Sequence, residues 1–134
     1  MDINKICADV LADVPSALGC AVVDLESGLL LGVHHRVNYL TQSYLDSVAA
    51  AAVDMFRGRT IMAVEQMLSN IRGHEASRMI KEIQMTTENT YHFMAIVPEK
   101  PSALLVLITD KKANLGMGWA AVRRSLPNIA PLCP

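Results

Sequence analysis

Four histidines, three cysteines, one glycine-spaced run and a pair of arginines are the residues of this 134-residue chain whose types could do chemistry. His34 and His35 are adjacent in an extended pattern, so they point to opposite faces and cannot chelate one ion together. His74 and His92 stand apart from them. Cys7, Cys20 and Cys133 show no C-x-x-C spacing, which removes the usual zinc and redox readings and leaves buried or incidental thiols of a reducing compartment. Gly116-Met-Gly-Trp-Ala-Ala121 matches G-x-G-x-x-A and follows a strand. A dinucleotide site needs those glycines in the strand-to-helix turn, then another strand with an acid about 20 residues on. Here the glycines start six residues beyond Asp110 and only 13 residues follow Ala121. Close packing of a helix on a sheet explains small residues at 116, 118 and 121 more simply.

The chain contains no G-x-x-x-x-G-K-[ST], no G-x-S-x-G and no H-E-x-x-H, so no phosphate loop, nucleophile elbow or zinc-protease helix is expected. No catalytic residue, cofactor or metal follows from the residues present. Arg57 and Arg59 flank Gly58 in a turn, where an arginine could be offered to a partner's phosphate. A solvated helix end is the simpler reading, and the two arginines stand as candidate partner contacts.

Bulk properties narrow the class further. The chain is 51% hydrophobic but only 4% aromatic, with a mean hydropathy of +0.27. A domain of this length buries roughly two-thirds of its unfolded surface, so part of the apolar excess is expected in a subunit interface. Methionine adapts to irregular surfaces, and Met55, Met62, Met79 and Met85, together with Ile83, are the expected dimer contacts. The longest apolar runs, Val48–Val53 and Ala103–Ile108, fall far below the roughly 20 residues that span a bilayer. Met1-Asp-Ile-Asn-Lys has neither a basic n-region nor an apolar h-region, which predicts a cytoplasmic protein. Twelve basic and thirteen acidic residues give a net charge of −1, without the basic excess of a nucleic-acid binder.

Hydrophobic spacing sets out the elements that must position these residues. Ile3, Ile6, Cys7, Val10, Leu11 and Val14 follow a helical 3, 4, 7 spacing, with Asp2 placed as the cap and Pro15 as the stop. Leu18–Asp24 and Leu29–His35 form a hairpin around Leu25-Glu-Ser-Gly28. A helix capped by Thr41 or Ser43 runs to at least Phe56 with Tyr44, Leu45, Val48, Ala52, Met55 and Phe56 on one face. Ile61, Val64, Met67, Leu68 and Ile71 point roughly 150° away from that face at 100° per residue. Glycine costs about 1 kcal/mol inside a helix, so a break is expected at Arg57–Thr60, with a second helix to about Ile71 and Gly73 as its C-cap. Strands follow at Met79–Thr86, Tyr91–Val97 and Ala103–Thr109. The six apolar residues Ala103–Ile108 cannot alternate between core and water, so that strand is central, covered on both faces. A last helix, Leu115–Leu126, precedes a proline-bearing tail at 127–134. The expected product is one α+β domain spanning 1–134, with its core at about 3–125 and an antiparallel sheet covered by helices.

This order, and three local patterns, resemble the Roadblock/dynein light chain family. The patterns are Ala17-Leu-Gly-Cys-Ala-Val-Val-Asp24 leading to Ser27-Gly28, Leu104-Leu-Val-Leu-Ile-Thr-Asp110, and Ala113-Asn-Leu-Gly116 opening the last helix. The resemblance implies a profilin-like sandwich: a five-stranded antiparallel sheet, the long helix on one face and the terminal helices on the other. It also implies homodimers that pair the long helices and the third strands. Bacterial members often regulate or anchor small Ras-like GTPases and eukaryotic ones serve as dynein light chains, with no catalytic residue to carry over. The extended middle section with Gly58 departs from the shorter family pattern. The leading expectation is a non-enzymatic dimeric module that regulates or scaffolds a bacterial Ras-like GTPase. The alternative is a ligand-sensing or other adaptor domain on the same sheet.

Overall fold

A computed structural model describes residues 2–134. Helix α1 (Ile3–Asp13) begins where the Asp2 carboxylate accepts the Lys5 N–H at 2.8 Å. It buries Ile3, Ile6, Cys7, Val10 and Leu11 and stops at Val14, which leaves the helical region at φ −123° before Pro15. Strands β1 (Ala17–Asp24) and β2 (Leu30–His35) follow as the expected hairpin, then helix α2 (Gln42–Arg57), capped by Thr41 accepting the Tyr44 N–H. Helix α3 (Arg59–Arg72) ends on Gly73 at φ +76°, a left-handed C-cap that costs glycine nothing. Strands β3 (Glu82–Thr86), β4 (Thr90–Val97) and β5 (Lys100–Asp110), then helix α4 (Leu115–Ile129), complete the chain.

The five strands form one antiparallel sheet in the order β2-β1-β5-β4-β3. β5 is its middle strand, and every residue from Ala103 to Ile108 is buried. Alternate residues of the sheet divide between two cores. Val22, Phe93, Leu105 and Leu107 meet α1 and α4 on one face, while Val23, Met94, Leu104 and Val106 meet α2 on the other. The long helix therefore lies opposite the terminal pair, as the resemblance implied. Gly118 brings α4 down onto the sheet: a Cβ there would sit 2.4 Å from the Phe93 ring.

The helical segment breaks at Gly58, as the change of apolar face predicted. The Gly58 N–H still bonds to the Asp54 carbonyl at 3.0 Å, but intrahelical bonding resumes only with Met62 N–H to the Gly58 carbonyl. Glycine is required there by space, since a Cβ would lie 2.2 Å from the Asp54 oxygen.

Three boundaries differ from expectation by three residues each, the others by at most one or two. β3 begins at Glu82, not Met79, because Arg78 takes φ +51° and the Glu65 carboxylate claims the Met79 N–H at 2.8 Å. β5 starts at Lys100, three residues earlier than expected. α4 runs through Pro127 to a buried Ile129, and the segment beyond it is docked: Cys133 is buried, and the Lys100 Nζ donates to the Cys133 carbonyl at 3.0 Å. Gly116 is also exposed in the first turn of α4, so sheet packing explains Gly118 and Ala121 but not Gly116.

Candidate interaction surface

An open sheet has two edges, and this one treats them differently. Arg36 N–H bonds to the Leu18 carbonyl at 2.9 Å, which by antiparallel alternation turns the Val33 N–H outward. The Asn4 side chain of α1 accepts that N–H at 2.8 Å, so α1 blunts the β2 edge. On β3, the Ile96 N–H to Lys81 carbonyl and the Thr87 N–H to Thr90 carbonyl bonds, both 2.9 Å, fix the alternation. Ile83 and Met85 bond to β4, and the backbone groups of Glu82, Gln84 and Thr86 point away from the sheet. Among the described residues nothing bonds to them. A free strand edge is a template for another strand.

Beside that edge, on the α2 face, lies an open groove of about 280 Å³. Leu45, Ala49, Ala52 and Phe56 are the stripe of α2 that faces the sheet. The adjacent stripe, Tyr44, Val48, Ala51 and Met55, forms one wall of the groove, while Met85, His92 and Met94 form the other. At its base the Nε2 of His92 lies 3.0 Å from the Thr90 hydroxyl. Burial pushes the His92 pKa below its ordinary 6.5, since the charged ring loses water. The neutral ring therefore suits the apolar walls.

The five expected dimer contacts are divided by the structure. Met55 and Met85 line this groove, and Ile83 is half-buried beside them against the same core. Met62 is exposed on α3, and Met79 is exposed in the loop before β3. The two arginines also separate. Arg57 is half-buried and donates to the Phe56 and Pro101 carbonyls at 3.1 and 2.7 Å, which ties the end of α2 to the start of β5. Burial, then the nearby positive charge of Arg78, hold its pKa below the usual guanidinium range, with Glu65 opposing. Arg59 is exposed and makes no ion pair among the described residues.

The other reactive types take structural places. His34 and His35 are both exposed at the end of β2, paired in register with Cys20 and Gly19. All three cysteines are free and buried. Cys7 and Cys20 touch within the α1 face, and that hydrogen bond, with burial, raises the Cys20 pKa well above its ordinary value, leaving an unreactive thiol. Among the described residues no group of three or more histidine, cysteine, aspartate or glutamate side chains could hold a metal, and no helix is long and apolar enough to cross a membrane.

Sequence reasoning missed Arg36. Its guanidinium donates to the carbonyls of Leu11, of Pro15 at 3.1 Å and of Ala17 at 3.2 Å, bracing the end of α1 against the start of β1. Nothing local marks it, because its partners lie 19 to 25 residues back.

No family model and no curated protein matches the sequence. Solved structures do match the fold. MglB of Myxococcus xanthus is 18% identical with a TM-score of 0.71, over 97% of this chain and 86% of its own. A Roadblock/LC7 domain from Streptomyces avermitilis is 15% identical with a TM-score of 0.70, over 98% of this chain and 97% of its own. An MglB in a tetrameric arrangement is 22% identical with a TM-score of 0.72, over 96% and 85%. Over nearly its whole length, this chain has the Roadblock/LC7 fold.

Proposed function

We propose that this protein is a non-enzymatic, dimeric interaction module that regulates or scaffolds a small Ras-like GTPase. The observation that carries the dimer is the free β3 edge lying beside the apolar groove of α2, while on the opposite edge Asn4 occupies the Val33 N–H. Two copies related by a two-fold axis would pair β3 with β3, join the sheets and cover Met55 and Met85 in one step. The GTPase rests on the resemblance to bacterial Roadblock proteins, and the fold is compatible with it. A ligand-sensing role would need convergent polar groups, whereas the groove offers only the Tyr44, Ser47 and Thr87 hydroxyls and a His92 already bonded to Thr90.

A module of this kind acts by holding the partner's own switch residues in place, since most catalysis of phosphoryl transfer is positioning. Light scattering at micromolar concentration should give twice the 14.6 kDa chain mass, and a monomer there would refute the dimer. GTP turnover by the cognate GTPase should change with the protein present and change only a few-fold between wild type, Arg57→Ala and Arg59→Ala. A loss of about 10³-fold or more in either variant, the scale of an arginine finger, would replace the scaffold with direct catalysis.

A further inference from the structure

Helix α3 turns its best apolar residues to water. Val64, Met67 and Ile71 recur at helical spacing on one side and are 50%, 62% and 78% exposed. The side facing the rest of the chain is polar where it is deepest. Glu65 is the one buried residue of α3, and its carboxylate accepts the Met79 N–H. One turn on, the Ser69 hydroxyl accepts the Ala76 N–H at 2.7 Å. Hydrogen bonds to the following loop thus hold α3 in place, leaving its hydrophobic stripe uncovered. Contiguous exposed apolar stripes mark interaction sites more often than isolated residues do.

The stretch that carries the stripe is mostly of one charge. Arg57, Arg59, Arg72, Arg78 and Lys81 fall within residues 57–81, against Glu65 and Glu75, in a chain whose net charge is −1. Among the described residues the ion pairs are Lys5–Asp9, Arg123–Glu82 and Arg124–Asp13, and none of the five takes part. Arg59 and Arg72 bracket α3, roughly 20 Å apart at 1.5 Å per residue.

We propose that α3 docks an acidic amphipathic helix of another protein. Apolar residues of that helix lie on Val64, Met67 and Ile71, and its carboxylates sit beside Arg59 at one end and Arg72 at the other. The inference goes beyond the proposed function, since it requires neither the dimer nor that the partner be a GTPase. Self-pairing of α3 between two copies fits poorly, because it sets arginine against arginine in both the parallel and the antiparallel arrangement. A membrane also fits poorly, because interfacial helices carry Lys and Arg along the polar face, where α3 has Gln66 and Asn70.

The test uses the full chain and two synthetic helical peptides of about 15 residues, a length that matches α3 at 1.5 Å per residue. Both carry one leucine stripe, flanked by glutamates in the first and by lysines in the second. Fluorescence anisotropy should show the glutamate peptide binding at least about tenfold tighter, and more weakly as salt rises. The exposed pair Met67→Ser with Ile71→Ser should weaken it about tenfold or more with an unchanged thermal midpoint, and Arg59→Glu with Arg72→Glu should reverse the peptide preference. Equal binding of the two peptides, or indifference to the serine pair, would overturn the proposal. So would sedimentation with phosphatidylserine vesicles that the serine pair abolishes, or a fall in solution mass caused by that pair, which would assign the stripe to a membrane or to a second copy.

Discussion

Arg36 braces the end of α1 from a distance: one guanidinium donates to the Leu11 carbonyl in the last turn and to the Pro15 and Ala17 carbonyls just beyond it. Replacing it by Met keeps much of the stem and removes the donors, so Arg36→Met should cost about 1–2 kcal/mol, the range for hydrogen bonds to a charged donor discounted for its exposure. A fall in urea midpoint at unchanged slope would show it, and an unchanged midpoint would mean water replaces the guanidinium without loss. His92 makes a pH-dependent contribution of the opposite kind to a paired histidine. Its folded pKa lies below the unfolded value because burial disfavours the charge. As pH falls through about 6.5 the unfolded chain takes up a proton that the folded one resists, so stability is lost as pH falls through that window, until the lower folded pKa is reached. His92→Gln should flatten that part of the curve of unfolding midpoint against pH. An identical slope in the variant would remove His92 from the account.

Two glycines show how elements depend on a missing Cβ. At position 58 an added Cβ would lie 2.2 Å from the Asp54 carbonyl, a backbone atom that cannot swing aside. At 118 it would enter the face of α4 that Phe93 already fills, at 2.4 Å from the ring. Alanine is intrinsically the better helix residue by about 1 kcal/mol, yet both substitutions should destabilise, by about 1–3 kcal/mol as overpacking does. Gly118→Ala should act through the α4–sheet packing and lower the thermal midpoint. Gly58→Ala should in addition disturb the α2–α3 junction, and amide exchange should quicken at 59–61, where the intrahelical bonds lapse. A stabilised Gly58→Ala protein would mean that the two helices can merge at no cost.

At the scale of the molecule, the sheet's two edges decide how copies can meet. Gln84 presents its N–H outward, away from β4, so proline there removes a donor only from the free edge. Gln84→Pro should leave the fold's circular dichroism intact while lowering the light-scattering mass from two chains toward one. Persistence of the full dimer would place the interface elsewhere, on α2 alone.

Much of this architecture could be read along the chain. Asp2, Thr41, Pro15 and Gly73 start or stop helices by bonds and clashes with residues no more than four away. The unbroken apolar run Ala103–Ile108 can only be a central strand. The changed apolar face around Gly58 reports a break because periodicity is itself local. The candidate surface was only partly legible. Met55, Ile83 and Met85 were recognisable as apolar surplus, but their grouping beside one edge depends on strand order. The short β3, the α4 turn through Pro127, the Arg36 brace and the Asn4 bond to the β2 edge all escaped the sequence. Their controlling contacts join residues 14 to 33 positions apart: Glu65 to Met79, Arg36 to Leu11, Asn4 to Val33 and Lys100 to Cys133. Local hydrogen bonding and hydrophobic period are set by neighbours in the chain, and these the sequence determined. Whether a face or an edge is covered depends on what the fold brings to it, and that only the tertiary structure decided.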